Sequence, residues 1–182
     1  MFIDPGFPIQ KSQLRIIGVQ WEEFDIYAYR GAALHDKLES MLSTGEIACY
    51  RILPKSRIIR HGFVWKRKNW LLSVNLATKY DVIVMEDLAY FCMDFRRDLG
   101  HPFEPPYPPT VAHYTDNYIL MLSSSKIFSY AGQRMALTCI SDKACCLLCH
   151  VLMLCHYESI FLYLLLCFGA RIPIICIITH SV

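Results

Sequence analysis

Residues 81–87, DVIVMED, set four apolar side chains in succession, Val82 to Met85, between acidic residues. A short run that is apolar at every position, bounded by charge, fits a strand covered on both faces. Strands of this kind are typical of parallel sheets. Parallel neighbours need connections of about a dozen residues or more, usually helical. The flanking sequence supplies them. In AALHDKLESMLSTG (32–45), Leu34, Leu38, Met41 and Leu42 fall at helical spacing, with Gly45 as a stop. Residues 10–17 read as a short helix, and LATKYD (76–81) as the end of another. FIDPGFP reads as a strand end and turn. Residues 24–29 (FDIYAY), 117–122 (NYILML) and 134–141 (RMALTCIS) read as strands. The Pro-rich stretch 101–110 reads as a surface loop. The alternation predicts an α/β domain with a mostly parallel sheet and flanking helices.

In open α/β sheets ligands sit at the carboxyl ends of strands. Two strand ends here carry chemistry. MEDLAY follows the 81–85 run, with Asp87 and Tyr90, and SSSK follows 117–122, with Ser123, Ser124, Ser125 and Lys126. Arg134 opens the next strand, eight residues after the lysine. A carboxylate, a phenol, an amine, hydroxyls and a guanidinium on one edge suit pyridoxal 5'-phosphate. The amine can hold the aldehyde as a Schiff base. The carboxylate can keep the pyridine nitrogen protonated, and the phenol can hydrogen-bond the ring oxygen. The hydroxyls and the forked guanidinium can bind the phosphate. The structural alternative is that a lone Lys or Asp at a strand end is a solvated surface residue.

SSSKIFSYAGQRMA resembles the lysine motif of class I aminotransferases, which are fold type I pyridoxal-phosphate enzymes. That motif runs Ser-x-Ser-Lys, with an arginine eight residues beyond the lysine. MEDLAY resembles the family's Asp-x-Ala-Tyr, DPGFP resembles its Pro-Gly-Tyr-Pro turn, and the 39 residues from Asp87 to Lys126 fit its spacing. Ser124, usually apolar, and Tyr130, usually aliphatic, depart from the pattern. The resemblance covers roughly 1–50 and 76–143. It implies a partial large domain over 1–143. It makes Lys126 the Schiff-base lysine and proton carrier, with Asp87 at the ring nitrogen and Tyr90 at the ring oxygen. It assigns Ser123, Ser125 and Arg134 to the phosphate. It further implies amino-acid and 2-oxo-acid substrates, a homodimer and a cytoplasmic location. A lyase or decarboxylase of the same fold type would share these cofactor motifs.

Two segments break the pattern. Residues 51–75 hold seven Lys/Arg and no acid, where the family places an Asn-Pro-x-x-Pro-like segment. One choice of codons for residues 57–62, read one base earlier, spells Pro-Asn-Asn-Pro-Ala-Trp. The expectation is therefore a stretch read out of frame, with the frame restored near Asn75. A nucleic-acid site, with Phe63 and Trp65 among the basic residues, is the alternative. The basic residues follow neither a helical nor a strand period, and the net charge of +2 gives no general pull on nucleic acid. Residues 144–182 form an apolar tail unlike the family, holding six of the nine cysteines and only two charges, Glu158 and Arg171. A second change of frame, or a remnant tethered by a membrane helix over 144–168, would explain it. Glu158 and two histidines within that window count against the helix. Cys146, Cys149 and His150 match a haem-attachment spacing, and with Cys155 and His156 could be drawn as zinc ligands. Their crowding in one apolar run opposes both. Cys49, Cys92 and Cys139 read as ordinary thiols of a reducing compartment. The missing small domain and the anomalous segments predict an inactive fragment.

Overall fold

The computed structural model describes residues 1–4, 6, 8–52, 67–91, 104–105, 107, 110–133, 135–145, 163–164 and 174–179. The chain divides into two compact units, 1–85 and 86–182.

In the first unit, β1 (Phe2–Asp4) pairs in parallel with β2 (Glu23–Asp25). Between them runs α1 (Ile9–Ile16), which buries none of its own residues. Lys11 ties this helix to both strands, with its ammonium 2.6 Å from Asp4 and 2.5 Å from Glu23. β2 stops earlier than the apolar run 24–29 suggests. The Asp25 carboxylate accepts the Tyr27 N–H at 2.8 Å, and the Asp25 carbonyl accepts that of Ala28. This local turn takes the donors a longer strand would use.

The helix α2 (Ala32–Leu42) buries Leu34, Leu38 and Leu42, the stripe its sequence spacing predicts. Gly45, three residues beyond, takes the left-handed conformation (φ 75°) that turns the chain away. β3 (Cys49–Ile52) leads to α3 (Arg67–Lys79), and α3 leads to β4 (Ile83–Asp87). The Ile83 N–H bonds the Ala48 carbonyl, so β4 starts beside the start of β3. That is the arrangement of parallel strands joined by a helix. α2 and α3 pack together. Of the anomalous stretch 51–75, Arg51 and Ile52 complete β3, and 67–75 form most of α3, with Trp70, Ser73 and Val74 buried. Residues 53–66 lie outside the described residues.

Glu39 of α2 links to α3 through Lys79 Nζ at 2.5 Å and Tyr80 Oη at 2.9 Å. These two bonds hold the Glu39 carboxyl below its usual value of 4.5. A carboxyl lowered by folding contributes stability above its unfolded pKa, and loses it as pH falls through the folded one. The α2–α3 link is therefore expected to weaken below about pH 4.5. Glu39→Gln should lower the unfolding midpoint slightly near neutrality and flatten its dependence on pH in that acid range. An unaltered acid slope in the variant would show that the link adds nothing.

In the second unit the hydrogen-bonded order runs from the end of β4 through β5 (Tyr118–Ser123), β6 (Met135–Ile140) and β8 (Ile174–Thr179) to β7 (Tyr163–Leu164). The Leu88 N–H bonds the Met121 carbonyl at 2.8 Å, so β4 ends beside the end of β5, again as in parallel neighbours. β6 is antiparallel to β5, and Ser123 lies opposite Ala136. Residues 124–134 are too short for a helical crossover, so the chain can only turn back. An antiparallel strand on an otherwise parallel sheet is common in α/β folds. β8 runs antiparallel along the whole of β6, from Met135 opposite Thr179 to Ile140 opposite Ile174. The apolar tail thus contributes strands at 163–164 and 174–179. The rest of the proposed span at 144–168, apart from Ala144, Cys145 and those two strand residues, lies outside the described residues. So do the drawn zinc and haem ligands. Among the described residues, no helix is long and apolar enough to cross a membrane, and no cluster suited to a metal occurs. Burial pushes the thiols of Cys49 and Cys139 up, away from the reactive thiolate form. Cys92 is outside the described residues.

Candidate active site at the ends of two strands

The second unit brings together the ends of β4 and β5. Asp87 closes β4 and Ser123 closes β5. The Leu88–Met121 bond fixes their register, with Asp87 one residue before that bond and Ser123 two residues beyond it. Asp87 is half-buried, and its Oδ1 accepts the Ala89 N–H at 3.2 Å. The chain then turns through 89–91, with the Phe91 N–H on the Leu88 carbonyl at 3.0 Å. Tyr90, also half-buried, stands in that turn.

At the other strand end, Ser123 is extended (φ −94°, ψ 130°) and caps a single helical turn, α4 (Ser124–Ile127). Its Oγ accepts the Ser125 N–H at 3.2 Å. A serine is favoured here because its hydroxyl satisfies a donor the first helical turn leaves open. Lys126 is exposed within α4, while Ser124 and Ser125 are half-buried. The turn closes through the Ser124 carbonyl, which accepts N–H bonds from Phe128 at 3.1 Å and Tyr130 at 3.3 Å. Ser129, between those two donors, sits at φ 52°, the left-handed region that non-glycine residues seldom enter. Backbone strain of this kind concentrates at functional sites.

Asp87, Tyr90, Ser123, Ser125 and Lys126 therefore all lie at or just past the ends of two bonded strands. Arg134 lies outside the described residues. The strand it precedes starts at Met135, and Ala136 faces Ser123. Sequence reasoning treated Glu86 only as one of the acids ending the apolar run. It is fully buried, and its Oε2 accepts the Val111 N–H at 2.8 Å.

In the first unit α3 joins β3 to a β4 that starts beside it, and in the second β4 ends beside β5 with β6 antiparallel to β5; these features mark the class. The fold is that of part of the large domain of fold type I pyridoxal-phosphate enzymes. Three likenesses to solved structures illustrate it. One is to a pyridoxal-phosphate-bound C-S lyase from Staphylococcus hominis (TM-score 0.61, 16% identity, 86% of this chain and 38% of that one). Another is to an aminotransferase from Mycobacterium tuberculosis (TM-score 0.55, 16% identity, 79% and 34%). The third is to a pyridoxal-phosphate-dependent aminotransferase from Streptococcus suis (TM-score 0.56, 14% identity, 82% and 37%). The chain thus spans little more than a third of the length of these proteins. No family model matches the chain, and no curated protein matches it in sequence.

Proposed function

We propose that residues 1–143 are the cofactor-binding portion of a pyridoxal-phosphate-dependent aminotransferase, acting on an amino acid and a 2-oxo acid as a homodimer. The observation that carries this is the placement of Asp87 and Lys126 at the carboxyl ends of adjacent, bonded strands. The residues present fit the group. Ser123 Oγ already accepts an N–H, which leaves its own proton to donate to a phosphate oxygen. Lys126 is exposed beside it, and Asp87 is only half-buried. Ser123, Ser125 and Arg134 would hold the phosphate, Tyr90 the ring oxygen and Asp87 the ring nitrogen.

When bound, the cofactor supplies an electron sink that lets the α-carbon of an amino acid give up its proton. Asp87 keeps a proton on the ring nitrogen, because an adjacent carboxylate favours the charged form of a base. Lys126 Nζ would hold the cofactor by its aldehyde and, once released, would carry a proton from the substrate α-carbon to the cofactor carbon. The one group therefore serves as covalent anchor and as acid–base catalyst.

A lyase is the second reading, supported by the likeness to the C-S lyase. Incubating the chain with pyridoxal phosphate, an amino acid and 2-oxoglutarate separates the outcomes. Glutamate formation supports transamination. Release of ammonia and a 2-oxo acid without glutamate supports lyase chemistry. Cofactor binding with neither product is expected of the isolated chain. Absence of any cofactor-dependent visible absorption would overturn the proposal.

A further inference from the structure

The buried faces of β4 and the residues beside it form a row, Val82, Val84, Glu86 and Leu88, each under 5% exposed. An acid in such a row is costly compared with an apolar side chain. Glu86 uses the place to make a defined bond. Its Oε2 accepts the N–H of Val111, itself fully buried, at 2.8 Å. Val111 opens the 3-10 turn Val111–His113, which Thr110 and His113 brace reciprocally. Side chains alternate along a strand, so Glu86 is anchored on one face and Asp87 emerges on the other. The next residue, Leu88, is anchored through its N–H to Met121. Asp87 is thus the single residue between two fixed points, and its own Oδ1 closes onto Ala89.

We infer that Glu86 is a positioning residue, which sets the orientation of Asp87 by tying the end of β4 to the 110–113 turn. The inference deepens the cofactor reading and rests on it for the role of Asp87. A carboxylate that must meet one ring nitrogen tolerates little displacement, since misplacement by about 1 Å can cost two orders of magnitude.

The test compares wild type, Glu86→Leu and Glu86→Gln in the full chain, by amide hydrogen exchange and by pyridoxal-phosphate titration. In Glu86→Leu, exchange at Val111 and at 88–90 should accelerate by roughly tenfold or more, the scale of leaving one buried donor without its acceptor. Cofactor affinity should fall by about tenfold with it. Glu86→Gln keeps an acceptor oxygen and should restore both. Should Glu86→Leu fail to fold, Val111→Pro removes the donor at a helical first position that accepts proline. It should produce the same loss of protection at 88–90. Unchanged exchange in Glu86→Leu, or in Val111→Pro where the leucine variant does not fold, overturns the inference. So does faster exchange with unchanged affinity, which would mark the bond as structural only. If wild type binds no cofactor, the functional proposal fails by itself, and the exchange at 88–90 still decides whether Glu86 fixes this turn.

Discussion

Lys126→Ala is expected to abolish covalent capture of pyridoxal phosphate while leaving the fold intact. The capture assay is direct. The chain is incubated with the cofactor, reduced with borohydride and digested, and the modified peptide is located by mass spectrometry. Wild type should carry the adduct on Lys126, and Lys126→Ala should fall to the background of surface lysines. The loss should be complete because no other side chain in 123–130 can condense with an aldehyde. Stability should change by less than about 0.5 kcal/mol, as is usual for an exposed position. The cap that builds α4 uses Ser123 Oγ and the Ser125 N–H, and the lysine side chain has no part in it. Lys143→Ala, an exposed lysine of the same unit, should capture cofactor like wild type. An adduct that survives Lys126→Ala and maps to another lysine would remove Lys126 from the site and the proposed chemistry with it.

The two strand ends were legible because they depend on short-range sequence. Apolar runs at 81–87 and 117–122 marked β4 and β5, and the candidate polar residues follow each run within a few positions. The spacing of Leu34, Leu38 and Leu42 marked α2 for the same reason. What depends on distant partners was not legible. Glu86 reads as one more acid at a strand end, because its partner Val111 is 25 residues away and contributes only a backbone N–H. The tail's continuous apolar character leaves its structure open in the sequence, because a bilayer span and a buried strand share it. Its segment IICIIT at 174–179 is β-branched at five of six positions, which favours the strand that pairs with β6. The early end of β2 turns on one hydrogen bond from Tyr27 to Asp25, which hydrophobic pattern does not report.

Trp70→Ala is expected to cost about 3–5 kcal/mol, the usual range for removing a buried aromatic side chain. Trp70 is 6% exposed on α3 and shares a buried face with Ser73, Val74 and Ala77, the i, i+3, i+4, i+7 positions of a packed helix. It also lies in the stretch 51–75 whose basic, acid-free composition suggested a displaced reading frame. The substitution therefore weighs two ideas against each other. A sequence read out of frame has no reason to fill a cavity well, and truncating it would cost little. A side chain that closes a packed helix face leaves a void, and neighbours that relax only partly make the loss large. Against a typical total of about 5–15 kcal/mol, the expected loss would shift the urea midpoint substantially. Trp70→Phe should recover part of it, and Asn75→Ala, exposed on the same helix, should stay within about 0.5 kcal/mol of wild type. A loss below about 1 kcal/mol for Trp70→Ala would mean that this part of α3 does not pack as described. A loss in the expected range would mean that, whatever frame the gene once used here, the present residues are part of the core that α3 shares with α2.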